Sequence, residues 1–151
     1  MKFDYYIFID YSENLIGYSI IEKERIGELL LKISRFRHYK NTRNKQIYLK
    51  NIKKTIKREN IESYFLKLKI NKMYQNMDIY SDVLEFIKRH DNCLIFVSVD
   101  NRQYGAFNKI VGFVKRNGVV VKKESELIER TPEYQVSLVL DNLLNIERLR
   151  E

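Results

Sequence analysis

The most constraining feature of this sequence is a nearly continuous apolar run, Leu94-Ile95-Phe96-Val97-Ser98-Val99, which ends at Asp100. A short uninterrupted run rich in β-branched residues is typical of a strand that is buried on both faces. Such a strand lies near the centre of a sheet, and other layers must cover both faces of that sheet. The run therefore predicts an α/β fold in which helices flank a central sheet.

The remaining apolar patterns supply the other elements. Two strand-like runs open the chain and turn residues separate them, which predicts a hairpin. An alternating run predicts a third strand, and its exposed lysines predict that it lies at an edge of the sheet. The strands are predicted at Tyr5 to Ile9, Leu15 to Ile21, Tyr64 to Ile70, Leu94 to Val99 and Val119 to Val121, and the helices at about Glu24 to Arg37, Tyr48 to Ile56, Ile79 to Arg89, Phe107 to Val114 and Thr131 to Leu149.

Length and composition predict one folded domain over residues 1–151, with a helical insertion at about 24–60 between the second and third strands. The chain has 151 residues, is 44% hydrophobic and contains one Pro and five Gly, which excludes a disordered chain. Cys93 stands alone, so no internal disulfide forms. No signal peptide and no apolar run approaching 20 residues is present, which predicts a soluble cytoplasmic protein without a membrane partner. The sequence leaves open whether the protein forms a homodimer.

The insertion carries a block of one charge sign. Between Leu29 and Arg58 there are eleven Lys or Arg residues and no Asp or Glu, and the rest of the chain has 17 basic residues against 20 acidic ones. A block of this kind attracts a polyanion, because neutralised phosphates release their counterions. We therefore predict nucleic acid as the partner. The candidate binding residues are Arg35, Arg37, Lys40, Arg43, Lys45, Lys50, Lys53, Lys54 and Lys57.

Three aspartates stand out against apolar surroundings. Asp10 and Asp100 each end an apolar strand, and Asp141 lies in the otherwise apolar last helix. Strand ends are where α/β folds present functional groups, and an unpaired charge in an apolar helix is costly, so Asp141 needs a partner. A cation shared with the other two would be one, although an ion pair with Lys or Arg is a structural alternative, and Glu133 and Glu147 are rivals for this role.

Carboxylates from separate elements repel one another unless a hard cation such as Mg²⁺ or Mn²⁺ lies between them. Two such ions about 4 Å apart activate water and stabilise the leaving oxygen in phosphodiester hydrolysis. We therefore predict Asp10, Asp100 and Asp141 as catalytic and metal-binding residues. The fourth ligand is left open between Glu13, Asp82 and Glu85, of which we favour Glu85.

Without the insertion the element order is βββαβαβα, and with Asp10 in the hairpin, Asp100 ending the fourth strand and Asp141 in the last helix it resembles the ribonuclease H-like superfamily. The chain is most similar to an uncharacterised family in it, with an N-terminal Tyr-Ile-Asp-Glu-Ser-Gly type motif and a final Leu-Gln-Leu-Ala-Asp-Leu type helix. The corresponding stretches here read Phe8-Ile9-Asp10-Tyr11-Ser12-Glu13 and Val136-Ser137-Leu138-Val139-Leu140-Asp141-Asn142-Leu143. The resemblance implies a mixed five-stranded sheet and a metal-dependent nuclease.

Two other interpretations compete with a nuclease of this fold. Tyr11 stands where the motif has Glu, and Leu138-Val139-Leu140 stands where it has Gln-Leu-Ala, which suggests an inactive nucleic-acid-binding or assembly module. A PIN-like nuclease also gathers aspartates at strand ends, but it would require Leu15 to Ile21 to be helical. No phosphate-binding Gly loop, Gly-x-Ser-x-Gly motif or Cys-x-x-Cys motif is present, which excludes the NTPase, serine hydrolase and zinc-ribbon classes.

Overall fold

In the computed structural model, which describes residues 2–98, 101–114 and 118–150, five strands form one mixed sheet. Their spatial order is β3-β2-β1-β4-β5, in which β2 is antiparallel to β1 and β3, while β4 is parallel to β1 and β5. The predicted hairpin and edge strand are confirmed, and all five residues of β4 are buried. The strands are β1 (Tyr5–Ser12), β2 (Leu15–Glu22), β3 (Lys67–Lys72), β4 (Cys93–Val97) and β5 (Val120–Lys123).

Helices cover both faces of the sheet, as the central apolar run predicts. Tyr6 and Phe8 of β1 pack with three of the helices on one face, and Ile7 and Ile9 pack with the other two on the opposite face. The first group is α1 (Lys23–Lys32), α2 (Lys45–Arg58) and α5 (Pro132–Arg150), and the second is α3 (Asn76–Arg89) and α4 (Asn101–Val114). The helices α1 and α2 form the insertion between β2 and β3. No helix in the described ranges is long and apolar enough to cross a membrane.

Among the predicted boundaries that were wrong, two have a clear structural cause. The helix α1 ends at Lys32 and not at Arg37, since the Gln135 amide donates hydrogen bonds to the carbonyls of Ile33 (2.7 Å) and Phe36 (3.1 Å). The strand β3 begins at Lys67 and not at Tyr64, because Ile61–Tyr64 forms a short 3-10 helix and the Phe65 N–H still bonds the Glu62 carbonyl at 3.2 Å. Residues 15–21 lie in β2, so the PIN-like alternative is wrong.

Gly17 lets α5 approach the hairpin closely. It lies on β2 directly opposite Asp10 of β1. A Cβ atom at this position would lie 2.9 Å from the Lys69 carbonyl oxygen and 3.1 Å from Cδ1 of Leu140 on α5. The missing side chain therefore allows the helix that carries Asp141 to pack against the strand pair that carries Asp10.

Candidate active site

Asp10 lies inside β1 and not at its end. The hairpin register continues through Asp10, pairing Ser12 with Leu15, whereas β4 pairs with β1 only as far as Ile9. Because side chains alternate along a strand, Asp10 shares the face of Phe8, which is the face that α5 covers. The predicted strand end is therefore wrong for β1, but Asp10 does stand where the neighbouring strand β4 stops.

Asp141 is a buried carboxylate on α5, and it has protein partners. Only 7% of the residue is exposed. Its Oδ2 accepts a hydrogen bond from the backbone N–H of Tyr39 at 2.9 Å, and its Oδ1 lies 3.6 Å from Nε2 of His38. Both partners belong to the connection between α1 and α2. Asp141 thus joins the basic insertion to the sheet.

One pocket brings these two aspartates together with a third carboxylate, Glu124. The pocket has a volume of about 360 Å³, and Asp10, Glu124, Asp141 and Ser98 are among the residues that line it. Glu124 begins a short 3-10 helix that directly follows β5. Sequence reasoning missed this residue, because the predicted strand ends at Val121, two residues short of the observed end of β5 at Lys123.

The electrostatics of the pocket leave negative charge uncompensated. Burial, together with the charges of Glu124 and Asp141, raises the pKa of Asp10 well above its ordinary value, although hydrogen bonds from the Tyr11 N–H and the Ser98 hydroxyl oppose this. Burial also raises the pKa of Asp141. Carboxylates that repel one another in a cleft are what a bound cation would stabilise.

The predicted metal ligands are only partly brought together. Asp10 and Asp141 line the same pocket, and Asp100 lies outside the described residues. Glu85 is exposed on α3, on the opposite face of the sheet, where its Oε1 lies 3.2 Å from Nζ of Lys88. Within the part of the chain that the structure describes, no three His, Cys, Asp or Glu side chains form a group that could hold a metal ion.

The other two carboxylates considered for the fourth position have different surroundings. Glu13 lines the pocket at its exposed rim, where its Oε1 lies 3.7 Å from Nη1 of Arg148. Asp82 lies on α3 and accepts hydrogen bonds from the Tyr18 hydroxyl at 3.0 Å and from Lys69 Nζ at 3.3 Å. Asp82 is therefore a partner in the packing of α3 on the sheet.

The pocket lined by Asp10, Glu124 and Asp141, which we name the carboxylate pocket, has cations on the side of the insertion. Lys40, Lys45 and Arg148 line it, and Lys45 Nζ and the Arg148 guanidinium lie 5.6 Å and 5.8 Å from the Tyr39 ring centre. The nine predicted binding cations are all exposed, and none forms a salt bridge with a carboxylate of the described ranges. These side chains are therefore accessible to solvent.

Comparison with known proteins identifies the architecture. No family model matches the chain, and no curated protein sequence matches it. The crystal structure of ribonuclease H2 from Pyrococcus horikoshii OT3 matches with a TM-score of 0.53 and 13% identity, over 97% of this chain and 73% of that chain. Ribonuclease HII from Archaeoglobus fulgidus, solved as a complex with PCNA, matches with a TM-score of 0.52 and 12% identity, over 99% of this chain and 74% of that chain. The protein therefore has a ribonuclease H-like fold.

Proposed function

We propose that this chain is a metal-dependent nuclease that hydrolyses phosphodiester bonds of nucleic acid. The observation that carries the proposal is the composition of one pocket, which Asp10, Glu124 and Asp141 line together with the cationic Lys40 and Arg148. The acidic groups suit divalent cations and the basic groups suit phosphate oxygens, and phosphodiester hydrolysis uses both. The proposal rests on this pocket and not on the fold, because proteins of one fold can have many different activities.

The donor set suits Mg²⁺ or Mn²⁺. Asp10 and Asp141 would hold these ions together with Asp100, the further ligand predicted from the sequence, and Glu124 lines the same pocket; within the described ranges alone, these carboxylates do not form a group of three metal ligands. All four supply carboxylate oxygens, which hard cations prefer, and the raised pKa values of Asp10 and Asp141 mean that their charges lack full compensation from the protein. When bound, such ions supply an activated water and stabilise the leaving oxygen.

The remaining pocket residues orient these carboxylates and bind the substrate backbone. The Tyr39 N–H and the His38 ring fix the Asp141 carboxylate in one orientation. Lys40 and Lys45 are exposed at the same pocket, where their ammonium groups can contact phosphate oxygens of a bound strand; Lys45 Nζ also donates a hydrogen bond to the Thr42 carbonyl at 3.0 Å. Binding and cleavage thus share one wall of the pocket.

A cleavage assay tests the proposal. Labelled single-stranded, double-stranded and hybrid substrates are incubated with Mg²⁺, Mn²⁺ or EDTA. We expect metal-dependent cleavage of at least one substrate, and a loss of at least about 100-fold in Asp10→Asn and Asp141→Asn, since each removes a charge that would hold the cation. No metal-dependent cleavage of any substrate, or full activity in Asp10→Asn, would overturn the proposal.

A matched pair of variants decides which glutamate completes the site. Glu124→Gln and Glu85→Gln make the same chemical change, but only Glu124 lines the pocket. We expect Glu124→Gln to lose activity and Glu85→Gln to retain it, because the Glu85 carboxylate pairs with Lys88 on the other side of the sheet. The reverse result would restore the sequence-based preference for Glu85.

A second candidate function is a catalytically inactive module that binds nucleic acid or takes part in an assembly. Two observations favour it: Tyr11 follows Asp10 where the similar family has Glu, and no group of three metal-binding side chains occurs in the described ranges. This candidate predicts tight nucleic-acid binding that is the same in EDTA and Mg²⁺, without cleavage. Cleavage that depends on Asp10 would exclude it.

A further inference from the structure

The cations of α2 lie on two different flanks of the helix. Leu49, Ile52 and Ile56 are buried and fix how the helix sits on the protein. Lys50, Lys53 and Lys57 then line cavities between α2 and α5, and Lys54 and Arg58 line a cavity on the other flank. The basic block of the sequence is therefore two surfaces and not one.

The cavity on the second flank is the more strongly cationic of the two surfaces. Its volume is about 830 Å³, and its lining in the described part of the chain contains no Asp or Glu, whereas Glu62 and Glu147 line a cavity on the first flank. We name it the arginine groove after its cations, which are Arg35, Arg37, Arg43, Lys54 and Arg58. The Arg58 Nε also lies 3.5 Å from Glu59, which is outside the lining.

Arginine suits a phosphate backbone better than lysine does. The guanidinium group is planar and presents a fork of donors that can bind two phosphate oxygens at once. Four of the five cations of the arginine groove are Arg, whereas the cavities on the other flank are lined by Lys50, Lys53 and Lys57 of α2 and by one arginine, Arg150 of α5. Ser34, Asn41, Asn51 and Thr55 add neutral hydrogen-bonding groups to the groove. Its chemistry is therefore that of a site for a polyanion with repeated phosphates.

The backbone of the groove is held in place before any ligand binds. The Tyr48 hydroxyl accepts a hydrogen bond from the Arg37 N–H at 2.7 Å and donates one to the Arg37 carbonyl at 2.9 Å. The Asn142 amide of α5 donates to the same carbonyl at 3.0 Å. A surface that is already ordered loses little conformational entropy when it binds.

One short segment separates the arginine groove from the carboxylate pocket. His38, Tyr39 and Lys40 line the pocket, whereas the next residues, Asn41 to Arg43, line the groove. Consecutive Cα atoms are about 3.8 Å apart, and one DNA strand carries a charge about every 3.4 Å along its helix axis, so a bound strand needs few nucleotides to pass from one site to the other. The two sites therefore adjoin at this segment.

We propose that the arginine groove is a second binding site for a nucleic-acid backbone, separate from the carboxylate pocket. The groove holds a stretch of the polymer that is not cut. The inference rests on the proposed nucleic-acid partner but not on catalysis. It predicts that affinity depends mainly on cations outside the pocket in which cleavage is proposed.

The test measures binding of a labelled oligonucleotide by fluorescence anisotropy in EDTA over a range of salt concentrations. The groove variant is Arg35→Gln/Arg43→Gln/Lys54→Gln. Since each lost phosphate contact reduces the slope of log K against log salt by about 0.7 to 0.9, we expect the slope to fall by about 2 to 3 and the affinity to fall with it. A thermal melt confirms that the variant is folded.

A control variant removes the same charge from the opposite side of the protein, as Lys67→Gln/Arg89→Gln/Lys109→Gln, whose three residues are exposed. We expect its slope to change by less than about 1. An unchanged slope in the groove variant, an effect equal to that of the control, or absence of nucleic-acid binding by the wild-type protein would overturn the inference. Displacement of the oligonucleotide by polyglutamate at equal charge concentration would assign the groove to an acidic polypeptide and would also overturn it.

Separateness is tested by combining the groove variant with Lys40→Gln/Lys45→Gln at the carboxylate pocket. Because contacts with different phosphates each release their own counterions, the two reductions in slope are expected to add if the sites are separate. If the second set has no further effect, both sets bind the same phosphates and the groove is not a separate site. All these measurements are made in EDTA, which prevents metal-dependent cleavage. The binding results therefore test the arginine groove, and the cleavage assay tests the proposed nuclease activity separately.

Discussion

The carboxylate pocket should cost the protein stability, and replacement of Asp10 by Asn measures that cost. Burial and the charges of Glu124 and Asp141 raise the pKa of Asp10, which means that the folded state favours the protonated form. An Asn side chain is neutral at every pH and keeps an oxygen that can accept the Tyr11 N–H, which bonds Asp10 Oδ1 at 2.8 Å. Asp10→Asn should therefore be more stable than the wild-type protein at neutral pH.

The expected size of the effect is that of other stabilising substitutions, which commonly give about 0.5 to 2 kcal/mol. We expect an increase of about 1 to 2 kcal/mol in the free energy of unfolding, which for a domain of this size raises Tm by about 2 to 8 °C. Because the pKa of Asp10 is raised in the folded state, the contribution of Asp10 to wild-type stability is most favourable below the unfolded pKa of about 3.9 and is lost as pH rises through the folded value.

The assay is a series of thermal melts of wild-type protein and Asp10→Asn between about pH 4 and pH 8 in EDTA. The difference in Tm between the two proteins should increase as pH rises. Asp82→Asn is the control, because this carboxylate accepts hydrogen bonds from Tyr18 and Lys69 and its loss should lower stability by about 0.5 to 1 kcal/mol. A variant Asp10→Asn that melts at or below the wild-type temperature at high pH, or a gap independent of pH, would refute the reasoning.

Three further predictions concern packing, hydrogen bonding and reactivity. Gly17→Ala should lower the free energy of unfolding measured in urea by about 1 to 3 kcal/mol, because the new methyl group meets Lys69 and Leu140. Gly27→Ala is the control and should raise this free energy by about 0.5 to 1 kcal/mol, because its Cβ meets nothing within 4 Å. Equal effects of the two substitutions would contradict the close approach of α5. Tyr48→Phe removes both hydrogen bonds to the Arg37 backbone and should cost about 1 kcal/mol in the same experiment, and unchanged stability would mean that the hydroxyl does not hold this segment. Burial raises the pKa of the Cys93 thiol to about 12, so a thiol reagent at about pH 8 should label unfolded protein only, and rapid labelling of native protein would contradict this.

The strands were predictable because their patterns reflect local burial. The run at residues 94–97 is apolar on both faces, and β4 does lie buried between β1 and β5. The end of α1 was not predictable, since the Gln135 amide that binds the Ile33 and Phe36 carbonyls lies about one hundred residues away in sequence. Side chains that end an element from a distance leave no local pattern.

The site was predictable in part for a similar reason. Asp141 stood out as one charge in an apolar helix, and the structure does bring it to the pocket of Asp10. Glu124 was missed because its position depends on β5 lying beside β4, and several acidic residues follow β5 in the sequence. The homodimer that the sequence leaves open finds no support in the single chain.

The polar side chains of α5 make the insertion inseparable from the rest of the fold. Gln135, Asp141 and Asn142 all bind backbone groups of the segment between α1 and α2. If residues 24–60 were deleted, these three side chains would lose these partners, and the apolar residues of α5 that pack against α1 and α2 would be exposed to water. A shortened protein would therefore not be a minimal catalytic core with its binding module removed. Gain or loss of such a basic arm in evolution would require matching changes along α5.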